Sequence, residues 1–230
     1  MFRALDIASS LAATVARFGG GLAANSVGKR PKERLILYDF ESCPFCRKAR
    51  EALTSLDLEA EIRASPKGGH RYRDECIERG GKAQFPYLID ANTGTEMYES
   101  DDIVEYLYRE YGAGPAPGGQ LGMFPVLTGS FASALRAGAG TYAEASAMPE
   151  KPLELWSFEA SPFCRIVRER LCVLELPYVL HNVGKGSAAR TAFVEMSGKM
   201  QVPYLMDPNT GEGLFESADI VAYLNRVYAS

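Results

Sequence analysis

Two cysteines three residues apart provide the clearest candidate for chemistry in this chain. Cys43 and Cys46 enclose Pro44 and Phe45, directly after the apolar run 35–40. A helical pattern begins at this point, which places Cys43 at a first turn, where free backbone N–H groups and the helix dipole stabilise a thiolate. Cys43 is therefore the predicted nucleophile. Cys46 lies one turn further on the same face, where it is placed to attack a mixed disulfide formed at Cys43.

The cysteine pair allows two other interpretations. The thiols could be structural, or they could form half of a zinc site. Zinc needs two more ligands. Cys76 and His70 are available, but they do not form a second short-spaced pair of ligands. A redox site is favoured, with no metal, because the pair lies next to a strand–helix–strand pattern.

Composition excludes several classes of function. The 230 residues are 47% hydrophobic and 23% charged, which is typical of a globular protein, and the net charge of -4 predicts no binding of nucleic acid. No apolar run approaches the roughly 18 residues of a transmembrane segment. Five cysteines, an odd number, do not suggest a secreted disulfide framework, so a reducing intracellular compartment is expected.

The chain contains an internal repeat, which indicates a duplicated domain. Cys43 corresponds to Ser161, 118 residues later, and the offset falls to 117 further along, as a single deletion requires. The paired blocks are 37–46 with 155–164, 81–90 with 198–207, 92–94 with 209–211, and 98–107 with 215–224.

Each copy has the pattern strand, helix, strand, helix, strand, strand, helix, which predicts an α/β fold. In the first copy these elements are expected near 35–40, 44–57, 59–63, 70–79, 86–90, 95–99 and 100–111. In the second they are expected near 153–158, 162–175, 178–183, 188–197, 203–207, 213–216 and 217–228. The predicted divisions of the chain are 1–30, 31–112, 113–148 (a linker with a short helix) and 149–230.

Residues 1–30 allow two interpretations. Their amphipathic, acid-poor composition is typical of an organelle transit peptide, but it also fits a short structural helix. Residues 9–17 resemble 129–136, each segment being followed by glycines. A helix duplicated together with the domain favours a structural element.

Three linked motifs occur in order in both copies: the Cys-Pro-Phe-Cys or Ser-Pro-Phe-Cys corner, an apolar residue before proline, and Glu-Ser at the last helix. Together they resemble the glutaredoxin-like, thioredoxin-fold N-terminal domain of glutathione transferases, here in tandem. The resemblance implies two thioredoxin-like domains, each with a mixed four-stranded sheet. No all-helical transferase domain is expected after either copy, so a conventional conjugating transferase is disfavoured.

The resemblance also implies a glutathione site in each copy. Pro86 and Pro203 would be cis-prolines, with backbone groups of Phe85 and Val202 facing the cysteinyl part of glutathione. The two Glu-Ser pairs would bind the γ-glutamyl end, although simple helix capping is the alternative for them. The full set of expected glutathione-binding residues is Phe45, Lys82, Phe85, Pro86, Glu99, Ser100, Ser161, Val202, Pro203, Glu216 and Ser217.

The copies differ at the position of the nucleophile. Ser161 has no histidine in its motif to activate it, so copy two is expected to be a glutathione-binding site or a structural copy. Cys164 lacks its partner thiol and is expected to be semi-buried. Cys76 and Cys172 are expected to be small core residues.

The leading hypothesis is a glutathione-dependent thiol-disulfide oxidoreductase that uses Cys43, with Cys46 or a second glutathione completing turnover. Its partners would be glutathione and glutathionylated or disulfide-containing proteins. The alternative is a non-catalytic scaffold or assembly subunit of a larger complex. An iron–sulfur cluster held by Cys43 is less favoured, because the cysteine pair offers disulfide formation as a competing fate. The resemblance suggests a plastid (chloroplast) location, with the cytoplasm as alternative.

Overall fold

The computed structural model describes residues 2–15 and 20–230, except for the side chains of 2–6 and 13. The order of elements repeats the predicted pattern twice. A helix precedes each copy. The elements are α1 Phe2–Val15, β1 Leu35–Asp39, α2 Pro44–Ser55, β2 Ala60–Ala64, α3 Arg71–Gly80, β3 Tyr87–Asp90, β4 Thr95–Met97, α4 Ser100–Tyr111, a 3₁₀ turn Gly118–Gln120, α5 Met123–Leu135, β5 Leu153–Ser157, α6 Pro162–Val173, β6 Tyr178–Asn182, α7 Ala189–Ser197, β7 Tyr204–Asp207, β8 Glu212–Phe215 and α8 Ser217–Tyr228.

The strands form a mixed sheet in the order β4-β3-β1-β2-β6-β5-β7-β8. Within each copy the first two strands are parallel and the last two are antiparallel, as a thioredoxin-like unit requires. The predicted α/β fold is confirmed. The four strands of each copy form one half of this sheet, because β2 and β6 pair antiparallel and join the two sets into eight strands. The sequence did not predict this junction.

This pairing removes an exposed edge from each copy. Ala60 lies opposite Leu180 and Ile62 lies opposite Tyr178, so main-chain hydrogen bonds and side-chain contacts continue across the junction. Buried leucines of both copies, such as Leu37 and Leu155, belong to one hydrophobic cluster. The two repeats therefore share a single core.

The helix that precedes each copy packs against the other copy. α1 precedes copy one but packs against α6 of copy two, whereas α5 precedes copy two and packs against α2 of copy one. α1 and α5 also contact each other. The second segment, expected to be a linker with a short helix, thus carries a 13-residue helix that belongs to the packed structure.

A buried aspartate in each copy holds the last helix in place. Asp90, at the end of β3, accepts hydrogen bonds from the hydroxyls of Tyr106 and Tyr111 at 2.7 and 2.5 Å. Asp207 receives the same pair of bonds, both 2.6 Å long, from the tyrosines of α8. These tyrosines thus fix the position of the helix that begins at each Glu-Ser pair.

A buried cluster of charges links residues of α2 and α6, and its contacts are reciprocal. Arg50 donates from Nε to Glu159 at 3.0 Å, and Arg168 donates from Nε to Glu41 at 3.1 Å. Arg50 also forms an ion pair with Glu41 at 3.2 Å, and Arg168 forms one with Glu159 at 3.0 Å. All four side chains are at least 95% buried, and each arginine is paired with one glutamate of its own copy and one glutamate of the opposite copy.

We expect Arg168→Ala to lower the free energy of unfolding by about 3–5 kcal/mol, because it removes one of the buried cations that compensate the carboxylates of Glu41 and Glu159. Arg109→Ala is the control, since the Arg109 side chain is 65% exposed and its loss should cost less than about 1 kcal/mol. Urea unfolding of both variants measures the difference. Equal stabilities for the two variants would contradict a structural role for the cluster.

Candidate functional site

Cys43 occupies the N-cap position of α2. Its φ and ψ of -74° and 120° are extended, Pro44 follows at the first helical position, and the Cys43 Sγ accepts a hydrogen bond from the backbone N–H of Cys46 at 3.3 Å. The strand β1 and the turn after it deliver the residue to this corner, because the backbone N–H of Cys43 donates to Phe40 O at 3.1 Å. Cys43 is 5% exposed and Cys46 is fully buried, and both thiols are free.

The two thiols have opposite electrostatic character. A side-chain hydrogen bond from Cys46 lowers the pKa of Cys43; backbone N–H groups and the positive charge of Arg50 lower it further, against the effect of burial. Burial raises the pKa of Cys46 well above the ordinary value of a thiol. The site therefore favours a thiolate at Cys43 and a protonated thiol at Cys46 that donates to it, as the sequence pattern predicts for a nucleophile and its partner.

A cavity of about 320 Å³ opens beside Cys43, and α5 forms part of its wall. Ser133 of α5 donates its hydroxyl to Ser42 O at 2.7 Å, and a Cβ on Gly129 would lie 3.0 Å from Pro44 Cβ. The lack of a side chain at Gly129 thus lets α5 approach the corner closely.

The segment after α5 completes this wall. Lys67 donates its N–H to Thr141 O at 2.7 Å and accepts from the N–H of Ala143 at 2.9 Å, while the hydroxyls of Ser42 and Thr141 lie 2.7 Å apart. Lys67 and Thr141 both line the cavity. The space in front of the nucleophile is therefore bounded by the connection between the two copies.

The peptide bonds Phe85–Pro86 and Val202–Pro203 are both cis, as the resemblance implies. Phe85 is 9% exposed and belongs to the same hydrophobic cluster as Cys43 and Cys46. The structure therefore brings the predicted cysteinyl contact next to the predicted nucleophile. In copy two, Val202 packs instead against a separate aromatic cluster around Phe193.

Glu99 and Glu216 have the same unusual backbone conformation. Their φ angles are 67° and 65°, in the left-handed region that non-glycine residues rarely adopt and that often marks functional sites. Glu99 accepts a 2.5 Å hydrogen bond from Gln84 Nε2, and Glu216 accepts one from Gln201 Nε2. Both glutamates are exposed and neither side chain caps its helix, which argues against the simple capping interpretation.

The remaining predicted residues are placed as follows. Ser100 and Ser217 begin α4 and α8 and are buried. The Phe45 side chain next to Cys43 is 42% exposed, and the Lys82 ammonium lies 4.5 Å from the ring centre of Tyr98. Lys82 thus has a protein partner of its own, in keeping with a surface lysine.

The corner of copy two keeps the geometry of copy one. Ser161 caps α6, and its Oγ accepts from the N–H of Cys164 at 3.2 Å. α1 covers this corner, with Thr14 donating to Ala160 O at 2.9 Å and Ser10 donating to Pro162 O at 2.8 Å. Cys164 is fully buried, further than the semi-buried state expected for it, and burial raises its pKa.

The other cysteines are core residues, as expected. Cys76 is fully buried and Cys172 is 3% exposed, and burial raises the pKa of each thiol. Among residues 2–15 and 20–230, no group of three His, Cys, Asp or Glu side chains is placed to hold a metal ion. None of the described helices combines the length and apolar character needed to cross a membrane.

Sequence reasoning missed the residues that shape the site from outside the motif. Arg50 acts on the Cys43 thiol, and Ser133 and Thr141 contact Ser42 from the connecting segment. No signal for Arg50 exists in the sequence, because α2 has an apolar stripe and its charged residues lie on the opposite side, where exposure to solvent is the ordinary expectation. Nothing in the sequence indicates which copy α5 packs against.

A comparison with protein families matches the chain twice to one model, described as the glutathione S-transferase N-terminal domain, over residues 37–116 and 155–230. These regions cover more than half of the chain. The chain belongs to this family. No curated protein and no solved structure gave a match. The tandem arrangement inferred from the repeat is confirmed, and membership of the family suggests a function related to glutathione.

The hydrogen bond between the two thiols can be tested by the pH dependence of alkylation at Cys43. In the wild type, the midpoint should lie below that of a free cysteine measured alongside. Cys46→Ala should move it upward because the side-chain donor is lost, whereas Cys46→Ser retains a hydroxyl donor and should move it less. Identical midpoints for the wild type and Cys46→Ala would rule out this role of Cys46.

Proposed function

We propose that the protein is a glutathione-dependent thiol-disulfide oxidoreductase with Cys43 as its nucleophile. The observation that carries the proposal is the pair of thiols at the start of α2, where the N-cap geometry and a buried donor thiol favour the Cys43 thiolate. A cavity beside Cys43 gives a substrate access to a sulfur that is otherwise almost buried.

The reaction is a sequence of thiol–disulfide exchanges. The Cys43 thiolate attacks the glutathionyl sulfur of a mixed disulfide, the substrate leaves as a thiolate, and Cys43 becomes disulfide-bonded to glutathione. The Cys46 thiolate or a second glutathione thiolate then attacks this disulfide. Attack by glutathione releases glutathione disulfide and regenerates Cys43, whereas attack by Cys46 releases one glutathione and leaves a Cys43–Cys46 disulfide that two further glutathione molecules reduce. By either route one glutathione is consumed for each mixed disulfide, and the products are the substrate thiol and one glutathione disulfide.

Two features support the proposed glutathione site of copy one. The first is the contact of Phe85 with the cluster that contains Cys43 and Cys46, next to the cis peptide bond at Pro86. The second is the strained Glu99 before α4, which leaves its carboxylate exposed at a helix N-terminus. Together these groups would bind the cysteinyl and γ-glutamyl parts of the peptide.

Copy two serves in this proposal as a binding or structural copy. Ser161 reproduces the cap but supplies a hydroxyl, which has no accessible alkoxide at neutral pH. The Glu216 backbone and the cis bond at Pro203 nevertheless match copy one. The Glu-Ser site is therefore present in both halves, and the nucleophile is present in one.

Activity is tested by reduction of the mixed disulfide between glutathione and 2-mercaptoethanol. Cys43→Ser should abolish the reaction, because the nucleophile is removed. Ser161→Ala is the matched control at the same structural position of copy two, and it should leave the rate unchanged. If Cys43→Ser retains the full rate, the proposed function is wrong.

Glutathione binding is tested separately by calorimetry on the intact chain. Glu99→Gln should weaken binding at copy one about tenfold or more, because a charge-assisted contact to the γ-glutamyl ammonium is lost. Glu216→Gln is the matched change in copy two, and a second loss of affinity there would identify two binding sites. Unchanged binding in both variants would refute the assignment of the Glu-Ser pairs.

One observation favours the alternative of a scaffold or assembly subunit. α5 exposes large apolar side chains at helical spacing, with Phe124, Leu127 and Phe131 each about 60% exposed. Such a face is suited to contact with another protein. Co-purification with a stable complex, together with an ordinary Cys43 pKa, would support the scaffold over the enzyme.

A further inference from the structure

The cavity beside Cys43 has a cation in its wall. Apart from Cys43 itself, Lys67 is the only ionisable residue that lines it within the described part of the chain, and no carboxylate lines it there. A charge beside a nucleophile acts on every molecule that approaches the nucleophile. The lining therefore bears on which substrates reach Cys43.

The groups proposed above to bind glutathione lie outside this lining. Among the residues described, Phe85, Pro86 and Glu99 are absent from it, although Phe85 shares a hydrophobic cluster with Cys43. When a mixed disulfide of glutathione reacts at Cys43, its glutathionyl half would contact those three residues. The cavity is thus left for the other half, which departs as a thiolate.

The hydroxyl groups of the cavity are committed to partners within the protein. Thr141 donates its hydroxyl proton to Gly138 O, so the hydroxyl of Ser42, 2.7 Å from Thr141 Oγ1, acts as the donor in that pair. Ser133 donates to Ser42 O at 2.7 Å. Each hydroxyl has one proton to donate, and all three protons are used in this way. Lys67 is the side-chain donor that remains for a bound group.

The backbone of Lys67 is held in place, whereas its side chain is exposed. Its N–H donates to Thr141 O and its C=O accepts from the N–H of Ala143, which ties the residue to the segment after α5. The ammonium group forms no hydrogen bond or ion pair with any described residue. The Cys43 sulfur has other donors, because the backbone and the side chain of Cys46 both donate to it. The charge of Lys67 is accordingly available to a substrate.

A second cation, Arg73, lies close to one wall of this cavity. Its guanidinium is 6.0 Å from the ring centre of Phe40, which lines the cavity, and 4.7 Å from that of Phe85. The Nε of Arg73 donates to Pro66 O at 2.7 Å, and no carboxylate of a described residue forms an ion pair with it. The charges of the two cations add, which makes the approach to Cys43 favourable for anions.

We propose that this cavity selects substrates whose departing thiol carries a negative charge, such as a carboxylate or sulfonate close to the sulfur. The inference rests on the oxidoreductase function proposed above. Cys43 attacks the glutathionyl sulfur, the bond between the two substrate sulfurs breaks, and the departing thiolate takes a proton from water. Lys67 attracts an anionic group on the departing half, whereas it repels an ammonium group in the same place.

The charge of the cavity is tested by alkylation of Cys43 with iodoacetate, which is an anion, and with iodoacetamide, which is neutral. Lys67→Gln should lower the ratio of the two rates, iodoacetate to iodoacetamide, about three- to fivefold, as expected for the loss of one exposed charge pair. A change in the Cys43 pKa affects both reagents alike, so the ratio isolates the effect of charge. The difference between wild type and variant should shrink at high ionic strength, because exposed charges are screened.

Lys185 provides the matched control, because it occupies the equivalent position in copy two. It is exposed, its N–H donates to Leu22 O at 3.0 Å, and its C=O accepts from the N–H of Ala24 at 2.8 Å, so its backbone is held as that of Lys67 is. Lys185→Gln should leave the alkylation ratio of Cys43 unchanged. Equal ratios in Lys67→Gln and Lys185→Gln would overturn the inference.

Substrate choice is tested with two mixed disulfides of glutathione, one with 2-mercaptoethanesulfonate and one with cysteamine. The quotient of their kcat/KM values should fall about fivefold or more in Lys67→Gln, because attraction of the sulfonate and repulsion of the ammonium are both lost. In Lys185→Gln it should stay constant. If the wild type reduces both disulfides and the quotient is the same in Lys67→Gln, this inference alone is wrong. If the wild type reduces neither, the oxidoreductase proposal is wrong, and the alkylation ratio still decides whether the cavity selects anions.

Discussion

The reciprocal ion pairs between Arg50, Glu159, Arg168 and Glu41 constrain the rest of the structure. Charges removed from water are stable only when their partners lie in the right place, and here each arginine is paired with a glutamate from each of the two copies. This requirement fixes the relative position of α2 and α6. The antiparallel pairing of β2 with β6 beneath them then makes one sheet of eight strands.

The same junction determines the environment of the nucleophile. Arg50 forms part of the charge cluster and also acts on the Cys43 thiol, so that the electrostatics of the thiol depend on contacts with copy two. The crossing of α1 and α5 adds to this dependence, because α5 closes one side of the Cys43 cavity before the chain enters copy two. Neither copy alone supplies all of the residues that surround the Cys43 thiol, so a stable site requires both copies.

Duplication produced two copies of the same backbone geometry that carry different side chains. The caps, the cis peptide bonds and the strained glutamates are the same in both, because they depend on backbone geometry that the repeat preserves. The side chains have diverged at the position of the nucleophile, which is Cys43 in one copy and Ser161 in the other. The fold alone therefore carries little information about chemistry, and the differences between equivalent positions carry most of it.

The sequence by itself determined the local features: the repeat, the order of strands and helices, the cysteine corner and the residues of both Glu-Ser pairs. These follow from hydrophobic periodicity and from capping and turn residues, which act over a few positions. The tertiary structure alone decided that the two sheets join, that α5 covers Cys43, and that Arg50 and Ser133 belong to the site. Such contacts link residues many positions apart, and they depend on which buried charges and surfaces match, which no local pattern records.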